Sequence, residues 1–99
     1  MDNMEKLKMM DKILRELEDL VNSETALLKK LGQLEAQNIN LGDKVLDDQL
    51  PEIYEHADDT LIKTTALQTE YQEVREKFVT DNNLADQIAA QALQPDNLQ

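Results

Sequence analysis

LKMMDKILRELEDLVNSETALLKKLGQL, residues 7–34, is the stretch whose reading decides the fold. Its apolar residues fall on three positions of a seven-residue repeat. Leu7, Leu14, Val21 and Leu28 take one, Met10, Leu17 and Leu31 a second, and Ile13, Leu20, Leu27 and Leu34 a third. A two-stranded coiled coil needs only two apolar positions in seven, so a third widens the stripe beyond a single seam. The stretch reads as a long amphipathic helix with more than one neighbour. Its one defect is Glu24, at the position that Met10, Leu17 and Leu31 occupy. The expectation is that this carboxylate reaches solvent beside Asn22 and Thr25. The alternative is a polar seam residue that selects a partner at a cost in stability.

Toward the N-terminus, Asp2 or Asn3 is placed to cap the helix, and Glu5 sits in the first turn where the helix dipole favours an acid. Helix 1 is expected over about 4–37. Gly32 inside it is read as a point of close approach for another helix. Asn38, Asn40, Gly42 and Asp43 are turn residues, so the chain is expected to reverse within 38–48, with Gly42 in the left-handed region. Asp47 or Asp48 then caps helix 2, over about 49–80, and Pro51 falls in its first turn, where the missing N–H costs nothing. The seam of helix 2 is read as Leu46, Ile53, Thr60, Leu67 and Val74 at one position and Leu50, Ala57, Thr64, Tyr71 and Phe78 at the other, with Leu61 and Ile62 off it. Asp81, Asn82 and Asn83 break the pattern, and Leu84, Ile88 and Ala92 or Leu93 mark a third helix over about 83–94. Residues 95–99 are expected to form a flexible tail. The predicted architecture is all-α: residues 1–94 as one helical domain, an antiparallel, coiled-coil-like helical hairpin with a short third C-terminal helix.

Ten Lys and Arg against 21 Asp and Glu leave a net charge of −11, which repels phosphate backbones and anionic lipid headgroups. Nucleic acid and membrane are therefore not expected as partners. The 99 residues contain no cysteine, so neither disulfides nor thiol chemistry is available. The first ten residues interleave Asp2, Glu5, Lys6 and Lys8 with apolar side chains, unlike the unbroken apolar run of a signal peptide. A cytoplasmic protein is expected, or one exported without a cleaved signal.

Catalytic chemistry has little to build on. The only histidine, His56, lies among Glu52, Glu55, Asp58 and Asp59, but no second histidine completes a metal-ligand set, and the cluster reads as a solvated acidic face. Ser23, the only serine, has no base in reach along the sequence, and Gly32 and Gly42 are too far apart to make a phosphate loop. No enzyme, cofactor or metal is expected.

Two family resemblances rest on particular residues. Leu17 to Leu31, with Glu24, Leu27 and Leu28 following a leucine-rich helix, is similar to the start of the flagellar hook-junction chaperones, one group of the small acidic chaperones of flagellar and type III secretion. That resemblance implies a protein that holds an aggregation-prone helix of its client against its own apolar stripe. The order helix, Asn40-Leu41-Gly42, helix resembles the helical-hairpin proteins of type VII secretion, which carry Trp-x-Gly at that turn. Here the tryptophan is missing, and the one Tyr-x-x-x-Asp match, Tyr54 to Asp58, falls early in helix 2 rather than after it.

The functional expectation is a non-catalytic protein–protein interaction module, a secretion chaperone or adaptor, with a structural coiled-coil subunit or a tryptophan-less type VII hairpin as alternatives. Leu14, Leu17, Val21, Leu28 and Leu31 are assigned to the intramolecular seam. Ile13, Leu20, Leu27, Leu34, Leu61 and Ile62 are assigned to the partner face, for a helical client or for the protein itself in a homo- or hetero-oligomer.

Overall fold

A computed structural model of the chain describes residues 1–92. Three helices follow in order, α1 (Asn3–Leu41), α2 (Lys44–Asp81) and α3 (Ala85–Ala92), with no strand among the described residues. Helices α1 and α2 pack antiparallel along their length, making an all-α helical hairpin with a short third helix. The molecule measures 61 × 28 × 18 Å, and its radius of gyration of 20.5 Å far exceeds the roughly 13 Å of a compact domain of about 100 residues. A rod two helices thick has no place to bury a third apolar position on each helix.

Helix α1 starts where Asp2 caps it, Oδ1 accepting from the Glu5 backbone N–H at 2.8 Å. That hydrogen bond holds the Asp2 carboxyl below the usual carboxylate range. The reversal is tighter than the run of turn residues suggests: α1 continues through Asn38 and Asn40 to Leu41, and only Gly42 and Asp43 lie between the helices. The reason is Asn38, which is buried and spends its whole amide on the turn. Its Nδ2 donates to the Asp43 carbonyl (3.1 Å) and to Asp47 Oδ1 (2.7 Å), and its Oδ1 accepts from the Asp43 N–H (2.9 Å). Asp43, rather than Asp47 or Asp48, then caps α2, accepting from the Leu46 N–H at 3.0 Å. Because α2 starts at Lys44, Pro51 lies about two turns inside the helix instead of in its first turn.

Gly42 adopts φ 69°, ψ 31°, the left-handed region expected of it, and its N–H closes onto the Asn38 carbonyl at 2.7 Å. A methyl added there would meet nothing within 4 Å. Gly42→Ala is therefore expected to cost about 1 kcal/mol through backbone conformation alone, read as a lowered urea midpoint with an unchanged slope. Gly32 differs from the expectation, because a Cβ there would meet the Tyr54 ring at 3.9 Å, an ordinary contact that alanine can make.

At the other end, α2 closes in a Schellman arrangement. Asn83 sits at φ 53° and donates to the Thr80 carbonyl, while the Leu84 N–H reaches the Val79 carbonyl at 3.0 Å. This turn carries Leu84 into the most buried position among the described residues, 2% exposed, at the end of the rod where Leu7 is also buried and Asn3 Nδ2 donates to Asn82 Oδ1. Helix α3 follows from Leu84 and ends at Ala92; Leu93, Gln94 and the tail expected over 95–99 lie outside the described residues.

Candidate interaction face

The pairs that cross between the helices fix how their faces align. Arg75 Nε donates to Asp11 Oδ1 at 2.9 Å, Thr64 Oγ1 to Glu24 Oε1 at 3.0 Å, and Gly32 lies against Tyr54. At about 100° per residue, a residue three positions after a seam residue lies some 60° to one side of it, and one four positions after lies some 40° to the other. On α1 the seam is Leu7, Leu14, Val21, Leu28 with Met10, Leu17, Glu24, Leu31, all buried or half-buried. The four-residue step from the first set reaches Asp11 and Gly32, and the three-residue step from the second reaches Ile13, Leu20, Leu27 and Leu34. On α2 the four-residue step from Leu50, Ala57, Thr64 and Tyr71 reaches Tyr54, Leu61, Gln68 and Arg75, and the three-residue step reaches Ile53, Thr60, Leu67 and Val74. Since Asp11 meets Arg75 and Gly32 meets Tyr54, the four-residue sides of both helices share one face of the hairpin. The three-residue sides share the other.

That second face is apolar along its length. In the antiparallel register set by the crossing pairs, Ile13 lies beside Val74, Leu20 beside Leu67, Leu27 beside Thr60 and Leu34 beside Ile53. Leu20 is 45% exposed, Leu27 50%, Leu67 48% and Val74 49%, while Ile13 is half-buried. Thr60 does not interrupt it, because its hydroxyl is already used on the His56 carbonyl at 3.0 Å. The face runs about 32 Å and exposes on the order of 500 Å² of apolar surface, at the upper end of what a soluble monomer shows in one patch.

The sequence-assigned partner residues separate into three groups. Ile13, Leu20, Leu27 and Leu34 lie on this face. Leu61 is half-buried within the seam, because the four-residue set on α2 packs inward; Ile62, 60% exposed, lies on the back of α2, beside Glu55, Asp58 and Asp59. Conversely, Ile53, Leu67 and Val74, read from the sequence as seam residues, are exposed and complete the face. The sequence reading missed them because hydropathy favours Ile53, Leu67 and Val74 over Tyr54, Gln68 and Arg75 for the second seam position. Arg75 is drawn inward by its ion pair with Asp11, which hydropathy does not register.

Glu24 also departs from expectation. It is half-buried in the seam rather than turned to solvent, with Oε1 on the Thr64 hydroxyl and Oε2 without a hydrogen-bond partner. His56 approaches Glu52 at 3.7 Å with both side chains largely exposed, and among the described residues no group of three His, Cys, Asp or Glu is placed to hold a metal. A cleft of about 390 Å³ near the turn is lined by Gly32, Glu35, Asn38, Ile39 and Pro51, but the Asn38 amide is consumed by the turn itself. No helix of the described residues is long and apolar enough to cross a membrane.

The fold and the face together define an all-α helical hairpin with one apolar side. Compared with models of protein families, with curated proteins and with solved structures, the chain finds no match.

Proposed function

We propose that this protein is a non-catalytic protein–protein interaction module that takes up helices of a partner on the face formed by Ile13, Leu20, Leu27 and Leu34 of α1 and Ile53, Leu67 and Val74 of α2. The observation that carries the reading is the alignment of two exposed apolar stripes, one per helix, in register on a single side of the hairpin. A helix pair that exposes such a stripe lacks its third layer, and packing helices against it removes that surface from water.

As a secretion chaperone or adaptor in the cytoplasm, the module would hold an amphipathic helix of its client in the shallow groove between the two stripes. As a structural coiled-coil subunit, it would hold another copy of itself, and the charges of Glu16 and Lys30 bordering the face favour this second form.

The test is the double substitution Leu20→Glu with Leu27→Glu. At a concentration where the parent is monomeric, the variant is expected to keep the parent's far-UV circular dichroism and its stability in urea within about 1 kcal/mol, because both side chains are already half in water. It is also expected to lose every stoichiometric partner, its own copies included, that the parent carries when purified from its native cells. Loss of helicity in the variant would make these leucines core and overturn the reading.

A further inference from the structure

We infer that the occupant of the apolar face is a second copy of this chain, docked about a two-fold axis perpendicular to the long axis of the hairpin to give a four-helix bundle. The inference rests on the interaction-module reading and names its partner. Three residues beyond each stripe residue lie the side chains that border the face, all exposed: Glu16, Ser23, Lys30 and Gln37 on α1, and His56, Lys63, Glu70 and Lys77 on α2, of which Gln37 and Lys77 lie at its ends. Around a two-fold axis at the level of Ser23 and Lys63, α1 lies antiparallel on the partner's α1 and α2 on the partner's α2. Leu20 then meets the partner's Leu27, and Ile13 the partner's Leu34. The same operation sets Glu16 beside the partner's Lys30 and Glu70 beside the partner's His56, each contact occurring twice. Ser23 and Lys63 each meet their own symmetry mate, and Lys63 already holds Asp59 at 3.0 Å.

The other closed arrangement, with the two-fold axis along the helices, lays α1 on the partner's α2 at the same level. Glu16 would then face Glu70, and Lys30 would face His56. Glu16 thus meets an opposite charge, Lys30, in the first pairing and a like charge, Glu70, in the second, although nothing in the fold of a lone hairpin requires either pattern. The axis that pairs Glu16 with Lys30, midway between them, falls within half a residue of the centre of the α1 stripe, which runs from Ile13 to Leu34.

Surface area agrees. A face about 32 Å long and two helices wide supplies about the 800 Å² per partner of a standard stable interface.

Sedimentation equilibrium of the full chain from about 1 to 100 µM tests the inference. The expected result is a dimer of twice 11.3 kDa. Glu16→Lys is expected to weaken its dissociation constant about tenfold at low salt, Lys30→Glu to do the same, and the two together to restore it. Glu16→Lys tightening the dimer would select the other axis and overturn the arrangement, as would a dimer indifferent to Leu20→Glu. A parent chain that stays monomeric at 100 µM would overturn the second copy as occupant. In that case a Leu20→Glu, Leu27→Glu variant that stays folded and loses a different partner would leave the module reading standing.

Discussion

Leu31→Ala is expected to lower the stability of the hairpin by about 3 kcal/mol, whereas Leu27→Ala, one helical turn earlier, is expected to cost less than about 1 kcal/mol. Both residues are leucines of α1 and both belong to the apolar repeat, but Leu31 is 6% exposed in the seam and Leu27 is 50% exposed on the outer stripe. Truncating a buried leucine removes its transfer free energy and leaves a cavity, which together cost 2–5 kcal/mol; a half-exposed one loses only part of the first term. In a chain of this length 1 kcal/mol moves the melting temperature by roughly 4–8 °C, so the two variants should separate by more than about 8 °C. The measurement is thermal unfolding followed at 222 nm, at a concentration low enough for association to contribute nothing. A larger loss from Leu27→Ala than from Leu31→Ala under those conditions would invert the assignment of seam and face.

The same pair of leucines shows why α1 was legible in the sequence. Three apolar positions per heptad over four heptads leave only the choice of which two face α2, and Leu14, Leu17, Val21, Leu28 and Leu31 are the inward residues in both the sequence reading and the structure. Helix α2 is less legible because its inward set contains Thr64, Gln68 and Arg75, while its outward set contains Ile53, Leu67 and Val74. Hydropathy ranks these in the wrong order. What brings the polar set inward is pairing with α1, as Asp11 with Arg75 and Glu24 with Thr64, and such long-range partners are invisible to any local pattern.

Glu24 carries that argument one step further. A carboxylate within an apolar seam costs desolvation, and one of its two oxygens has no hydrogen bond to offset it. Across from it stands Thr64, a small β-branched residue whose one hydroxyl proton lies within reach of both Glu24 Oε1 and the Thr60 carbonyl. A slip of α2 by one heptad would set Glu24 opposite Ala57 or Tyr71 instead. The pair therefore adds register to a seam that repeated leucines alone would leave degenerate, the role that single polar residues serve in coiled coils.

Register at the turn depends on Asn38, and Asn38→Ala is expected to cost about 2 kcal/mol and roughly 10 °C in melting temperature. The residue is 3% exposed and makes three hydrogen bonds across the reversal, to the carbonyl and N–H of Asp43 and to the carboxylate of Asp47. Each neutral bond contributes about 1 kcal/mol net, and the one to a carboxylate more. Asp43 and Asp47 are themselves exposed, so water takes over part of what alanine abandons and the total stays below the sum of the three. Asn38→Asp is the sharper probe, because it keeps the acceptor for the Asp43 N–H but turns the donor into a second carboxylate facing Asp47 and the Asp43 carbonyl. It is expected to cost more than alanine at pH 7. Asn40→Ala, in the same last turn of α1 but exposed, should change stability by less than about 0.5 kcal/mol. The ordering Asn38→Asp below Asn38→Ala below Asn40→Ala, read from urea midpoints, separates a turn held by one buried amide from a turn held by its loop residues in general. Equal losses from Asn38→Ala and Asn40→Ala would overturn it. The ordering also explains how an asparagine, which favours turns over helix interiors, lengthens α1 here: its side chain binds the next helix's first turn, and that bond requires Asn38 itself to stay helical.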